Sequence, residues 1–253
     1  MKVTFLGTGT SQGVPIIGCS CEVCTSSNSK DNRLRTSIHL QSQSTSLVID
    51  TGPDFRQQML RYNIKSLDGV VFTHEHKDHT SGLDDIRAFN FLQKKKIPLY
   101  LTQRVQEAIK MEFSYIFATE KYPGIPEVDL VNIDTQPFFV GDIELIPIKV
   151  KHMKLPVLGF RINDFTYITD ANSIDDSEKE KIKGTKILVL NALRHEKHPS
   201  HYTLQEALEL VAELKPEIAY FTHISHQLGL HNNVQRTLPK NIQLAYDGLC
   251  IDI

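Results

Sequence analysis

Three observations predict an α/β fold in one domain covering residues 1–253. Short runs of β-branched and aromatic residues alternate with segments of helical period along the chain. No linker, internal repeat or low-complexity tract divides it. With 40% apolar residues, a chain of 253 residues can bury a substantial core.

Lys2 to Leu6 reads as the first strand and runs into Gly7-Thr8-Gly9-Thr10-Ser11-Gln12-Gly13. This turn has the spacing of neither the dinucleotide fingerprint nor the phosphate loop, and it leads through Val14-Pro15 to three crowded cysteines. Asn28 to Arg33 is polar loop. Thr36 to Leu40 and Ser46 to Asp50 alternate about the polar turn 41–45 and predict a hairpin. Phe55 to Tyr62 has helical spacing, with Phe55, Met59 and Leu60 on one face. The run Gly69 to Phe72 is a buried strand. Leu83 to Leu92 is a helix whose end carries Lys94-Lys95-Lys96, a placement the helix dipole favours. Ile97 to Thr102 is a strand, and Arg104 to Phe117 a helix broken by Tyr122-Pro123-Gly124. Strands follow at Leu130 to Ile133, Ile143 to Val150, Gly159 to Ile162 and Phe165 to Thr169. Ser177 to Lys183 is helical, Ile187 to Leu190 extended. Thr203 to Leu214 is a helix with Thr203 and Glu206 placed as a capping box. Ala219 to Phe221 is a strand, and Cys250 reads as a small apolar residue in a terminal strand.

The chemistry gathers where strands end. After Gly69 to Phe72 comes Thr73-His74-Glu75-His76-Lys77-Asp78-His79. His74 and His76 are two apart, so in extended backbone both leave on one side and can grip one ion. Asp78 and His79 are adjacent, point elsewhere and suit a second ion, so the stretch predicts a two-metal site. His152, Asp170 and His223 each end a predicted strand, and ligands for one site must converge on one edge of a core. Cys19, Cys21 and Cys24 leave a tetrahedral zinc one ligand short, which a histidine from elsewhere completes. His226 is placed to face that knuckle.

The net charge of −2 and the lack of a long basic tract advertise no nucleic-acid surface. No stretch approaches a membrane span, and the cysteine cluster suits a reducing compartment, so a cytoplasmic protein is expected. Residues 93–126 are a candidate surface for a homodimer.

The Thr73-His74-x-His76-x-Asp78-His79 stretch, with Asp50 before it and His152, Asp170 and His223 after it in the order of the other motifs, resembles the signature of the metallo-β-lactamase-fold hydrolases. Gly7-Thr8-Gly9, Gln12-Gly13-Val14-Pro15, the cysteine knuckle, Thr222-His223-Ile224-Ser225-His226-Gln227 and Tyr246-Asp247-Gly248 are together similar to the phosphoribosyl 1,2-cyclic phosphate phosphodiesterases. The resemblance implies a four-layered αββα sandwich. It also implies two divalent catalytic ions, zinc or manganese, and one structural zinc. By resemblance His74, His76 and His152 hold the first ion, Asp78, His79 and His223 the second, and Asp170 bridges them. Cys19, Cys21, Cys24 and His226 match the structural zinc site. His201 falls where the family has a histidine that acts on substrate as an acid. The knuckle also occurs in a pyrroloquinoline quinone branch of the superfamily, so it does not fix the substrate.

The function this implies is hydrolysis of a small cyclic phosphodiester, such as phosphoribosyl 1,2-cyclic phosphate. Two divalent ions activate a water and neutralise the phosphoryl oxygens, so no protein nucleophile is needed. Arg33, Arg35 and Arg194 are candidate clamps for a terminal phosphate. Two alternatives share the fold: a tRNA 3′-processing endonuclease, which would be expected to carry an added basic arm, and an ester or thioester hydrolase.

Overall fold

The computed structural model describes residues 1–120 and 122–253; Lys121, inside the stretch 93–126, lies outside the described residues. Two seven-stranded sheets stack face to face. The first comprises β1 (Lys2–Gly7), β2 (Ser37–Gln41), β3 (Ser46–Ile49), β4 (Gly69–Val71), β5 (Ile97–Leu101), β6 (Val128–Asn132) and β14 (Cys250–Asp252), in the order β14-β1-β2-β3-β4-β5-β6. The second comprises β7 (Phe138–Val140), β8 (Ile143–His152), β9 (Leu155–Ile162), β10 (Phe165–Tyr167), β11 (Ile187–Asn191), β12 (Ile218–Thr222) and β13 (Ile242–Leu244), in the order β13-β12-β11-β10-β9-β8-β7.

Period-two alternation divides the apolar residues among three cores. Leu47, Ile49 and Val71 point between the sheets, where they meet Leu158, Phe160, Tyr167 and Val189. Val48 and Val70 point outward to α1 (Phe55–Arg61), α3 (Arg87–Gln93) and α4 (Gln103–Glu112) through Phe55, Phe89 and Val105. The outer face of the second sheet carries α5 (Asp176–Ile182), α6 (Leu204–Leu214) and α7 (His231–Thr237) on Leu188, Leu190 and Phe221. The layers therefore run helix, sheet, sheet, helix, the expected αββα order. The capping box of α6 has both its bonds: Glu206 N donates to Thr203 Oγ1 at 3.1 Å, and Thr203 N to Glu206 Oε2 at 2.9 Å.

Several local expectations change. Leu60 is 64% exposed, while Phe55, Gln58 and Met59 make the buried face of α1. The helix expected over 83–92 is a 3₁₀ turn, Leu83–Ile86, followed by α3, and α4 stops at Glu112 before a second 3₁₀ turn. Cys250 is exposed because it pairs with Thr4 on the face of β14 opposite Ile251, which packs into the core. Strands β7 and β13 and helix α7 go unannounced in the sequence. No helix of the described residues is long and apolar enough to cross a membrane.

Candidate metal centre

Strands β3 and β4 are parallel neighbours, so Asp50 and the motif from Thr73 leave the first sheet at one edge. In the second sheet, β8, β10 and β12 deliver His152, Asp170 and His223 at the facing edge. The motif turns into the short helix α2 (Lys77–Thr80), which swings Asp78 and His79 away from His74 and His76. Asp50, Asp170 and His223 all have left-handed backbone, with φ of 66°, 45° and 55°. Such conformations are uncommon outside glycine and cluster at functional sites.

Asp170 is the hub. Its Oδ1 lies 3.2 Å from both His79 Nε2 and His223 Nε2, and Asp78 Oδ2 lies 3.2 Å from that same His79 nitrogen. Its Oδ2 faces the other way, 3.9 Å from His74 Nε2 and 4.0 Å from His201 Nε2. Three groups of donors thus share one carboxylate: Asp78, His79, Asp170 and His223 in the first, His74, His76 and Asp170 in the second, and His152, Asp170 and His201 in the third. The His152 ring is 5.9 Å from that of His74 and 5.2 Å from that of His76, which puts it beside the second group.

Hydrogen bonds outside the cluster fix which imidazole nitrogen faces in. The Thr73 hydroxyl donates to Asp50 Oδ2 at 2.8 Å and so accepts from His74 Nδ1–H at 2.9 Å. His79 Nδ1–H donates to the same Asp50 oxygen at 2.7 Å, and His152 Nδ1–H to the Ser200 carbonyl at 2.7 Å. Each bond leaves Nε2 with a bare lone pair, the usual arrangement for a metal-ligating histidine. His74 Nε2, His79 Nε2 and His223 Nε2 are buried without any hydrogen-bond partner. Buried nitrogens of this kind are costly unless something binds them, and mixed imidazole and carboxylate donors suit divalent cations.

The electrostatics agree. Burial works against charge on His79, but Asp78, Asp170 and Asp50 outweigh it and hold its pKa well above the usual imidazole value. Burial likewise opposes charge on Asp170, yet His223, His79 and His74 hold it well below the usual carboxylate range. His74 goes the other way, pulled well down by burial and by its neighbour His79. The pocket is anionic at its centre and favours cations there.

At the second site, His226 Nδ1 lies 3.4, 3.3 and 3.6 Å from the Sγ atoms of Cys19, Cys21 and Cys24. Tetrahedral zinc with sulfur at ~2.3 Å and nitrogen at ~2.0 Å sets these edges at about 3.5 Å, so the four residues fit that ion.

His201 is 7% exposed and packs between His152 and His223, with ring centroids 4.4 and 4.7 Å away. His198, which flanks a polar turn in the sequence and is a candidate to line the cleft, has its ring centroid 5.1 Å from that of His201. Asp50, which the resemblance places among the family's motif residues without giving it a role, anchors His79 directly and His74 through Thr73. Arg33 is not a substrate clamp. It is 4% exposed, and its guanidinium donates to Thr8 Oγ1 and the Ala245 carbonyl and meets His231 Nδ1. Arg35 is held by Asp54 and the Ser11 carbonyl, and Arg194 braces its own loop through Gln227, Glu196 and Lys197.

Comparison with known proteins agrees with this geometry. Residues 45–224 match the family model for the beta-lactamase superfamily domain. A crystal structure of a diphosphatase from the PhnP family superposes with a TM-score of 0.93 at 40% identity, covering 100% of this chain and 97% of that one. Zn²⁺-bound PqqB from Methylobacterium extorquens has the same fold, with a TM-score of 0.82 at 16% identity and full coverage of both chains. An octanoyltransferase of Porphyromonas gingivalis is 38% identical over 98% of this chain but only 51% of its own length, so the chain spans about half of that relative. The chain belongs to the beta-lactamase superfamily and, within it, to the PhnP family, and is a metal-dependent hydrolase of the metallo-β-lactamase fold.

Proposed function

We propose that the chain is a phosphodiesterase acting on a small cyclic phosphodiester, of which phosphoribosyl 1,2-cyclic phosphate is the type. The observation that carries this reading is the division of Asp170, one oxygen toward each ligand group. Asp78, His79, His223 and Asp170 would hold one divalent ion, and His74, His76, His152 and Asp170 the other. Ions so placed would lower the pKa of a water and neutralise phosphoryl oxygens, in-line hydrolysis being what such pairs support. Zinc in the site of Cys19, Cys21, Cys24 and His226 would be structural.

The protein's own residues do the rest. Asp50 and Thr73 keep the ligand nitrogens aimed inward, and Ser200 does so for His152. His201 turns Nε2 toward the reaction centre and gives a proton to the departing sugar oxygen. Burial and His223 pull its pKa down, while Asp170 works the other way. The acid role requires the bound anionic phosphodiester to add to Asp170's side.

His201→Ala should keep its full metal complement and lose rate by about 10²–10⁴-fold on substrates with a sugar leaving group. With bis(p-nitrophenyl) phosphate the loss should shrink, because nitrophenolate departs without a proton. Equal losses on both substrates would refute the acid role.

The diphosphatase activity named for the PhnP-family relative favours a second reading, attack on a diphosphate at the same centre. Acyl transfer is not carried over from the octanoyltransferase, whose length this chain half spans. A hydrolysis panel decides among cyclic ribose phosphates, 2′,3′-cyclic nucleotides, linear diesters, diphosphates and precursor tRNA. The cyclic ribose phosphate should lead in kcat/KM; a diphosphate or precursor tRNA in that place would replace the reading.

A further inference from the structure

A cleft of about 370 Å³ opens beside the metal centre, on the same sheet edge, and none of the ligand residues lines it. Strands β4, β5 and β6 are parallel, so the residues following β5 and β6 emerge where the metal motif follows β4. Adjacent strands lie about 4.8 Å apart, which places the cleft roughly 5–10 Å along the edge from that motif. Thr73 belongs to its wall and also orients His74. The opposite wall comes from the β8–β9 hairpin, whose Leu158 N donates to the Thr73 carbonyl at 3.1 Å and whose end carries His152.

The lining is apolar at Ile133, Pro156 and Leu158 and cationic at Arg104 and Lys149, with Asp134 its one carboxylate among the described residues. Arg104 uses its Nε on Glu75, between His74 and His76, and its side chain is 57% exposed, so the terminal edge of the guanidinium stays open. Thr102, Gln103 and Arg104 are the cap and first turn of α4, so the positive end of a ten-residue helix also faces the cleft. Three sources of positive potential on an apolar floor, beside a phosphoryl-processing centre, describe a receptor for an anion carried by a small organic body.

The geometry points to this cleft as the subsite for a second anionic group of the substrate, a phosphate or carboxylate distal to the scissile phosphoryl, with Arg104 and Lys149 as its specificity residues. The inference rests on the phosphodiesterase reading and deepens it. It also moves the role of terminal-phosphate clamp, expected of Arg33, Arg35 and Arg194, to residues of α4 and β8.

The test separates binding from turnover. Acetylation of Lys149 by N-hydroxysuccinimidyl acetate, followed by mass spectrometry on the metal-loaded protein, should slow at least ~3-fold with ribose 5-phosphate and not with ribose. Unchanged labelling overturns the subsite whatever the enzyme hydrolyses. In kinetics, uridine 2′,3′-cyclic phosphate bearing a 5′-phosphate should surpass the unphosphorylated compound by about 10-fold in kcat/KM, a size fitting one or two charge-assisted hydrogen bonds. Lys149→Glu should erase that preference, acting on KM more than kcat. Equal use of the two compounds by the wild type, or a preference that survives Lys149→Glu, overturns the proposal. If neither compound is hydrolysed, the reading of the reaction falls, while the labelling result still decides the subsite.

Discussion

Asp170→Asn is expected to abolish hydrolysis and to lower the metal content of the catalytic site, with the fold retained. The carboxylate touches both ligand groups, one oxygen each, so its loss weakens both at once. Removing even an outer partner of a ligand typically costs about 10–100-fold in metal affinity or activity, and a shared ligand should exceed that. Asparagine is the right replacement because position 170 has φ 45°, which asparagine tolerates better than alanine does. A backbone penalty therefore does not confuse the result. His74→Ala should cost activity similarly but leave the group of Asp78, His79 and His223 loaded. Near-wild-type turnover by Asp170→Asn, with metal retained, would remove Asp170 from the mechanism.

The second large effect concerns the cysteine knuckle. Cys21→Ser should release about one equivalent of zinc and leave the catalytic ions in place, because the two clusters share no residue. The clip joins Cys19 to His226 across 207 positions, and closing so long a loop removes much of the unfolded chain's freedom. By analogy with covalent cross-links this is about 3–5 kcal/mol, or a melting temperature lower by roughly 10 °C for a domain of this size. Elemental analysis of the purified variant, paired with a melting curve, checks both. Unchanged zinc in a well-folded Cys21→Ser protein would refute the assignment.

The metal-binding candidates were legible in the sequence because strand ends announce themselves. His74, His76, Asp78 and His79 sit in seven consecutive residues after an apolar run, and Asp170 and His223 follow comparable runs. The αββα layering was legible only through the resemblance, since alternation shows that a strand has two faces but not what each face meets. Arg33 shows where such reading stops. Its partners Thr8, Ala245 and His231 are scattered along the chain, so the burial that removes it from solvent has no local signature. Arg104 and Lys149 were invisible for the same reason: one belongs to a helix, the other to a strand of the opposite sheet. Leu60 was misplaced because a seven-residue helix is too short for spacing to say which side its last turn presents.

The knuckle also sets a timetable for the protein's birth. The thiols of Cys19, Cys21 and Cys24 leave the ribosome long before His226 does, and at ~5–20 residues per second the wait is on the order of 10–40 s. Over that interval a nascent chain carries three neighbouring sulfurs without their fourth partner, open to oxidation and to stray metal. Strand β1 waits too, since its neighbour β14 pairs Asp252 with Lys2. Closure of the first sheet and of the zinc site therefore waits until His226 and Asp252 have been made, and a cell short of zinc at that moment would be left with reactive thiols on an otherwise folded domain.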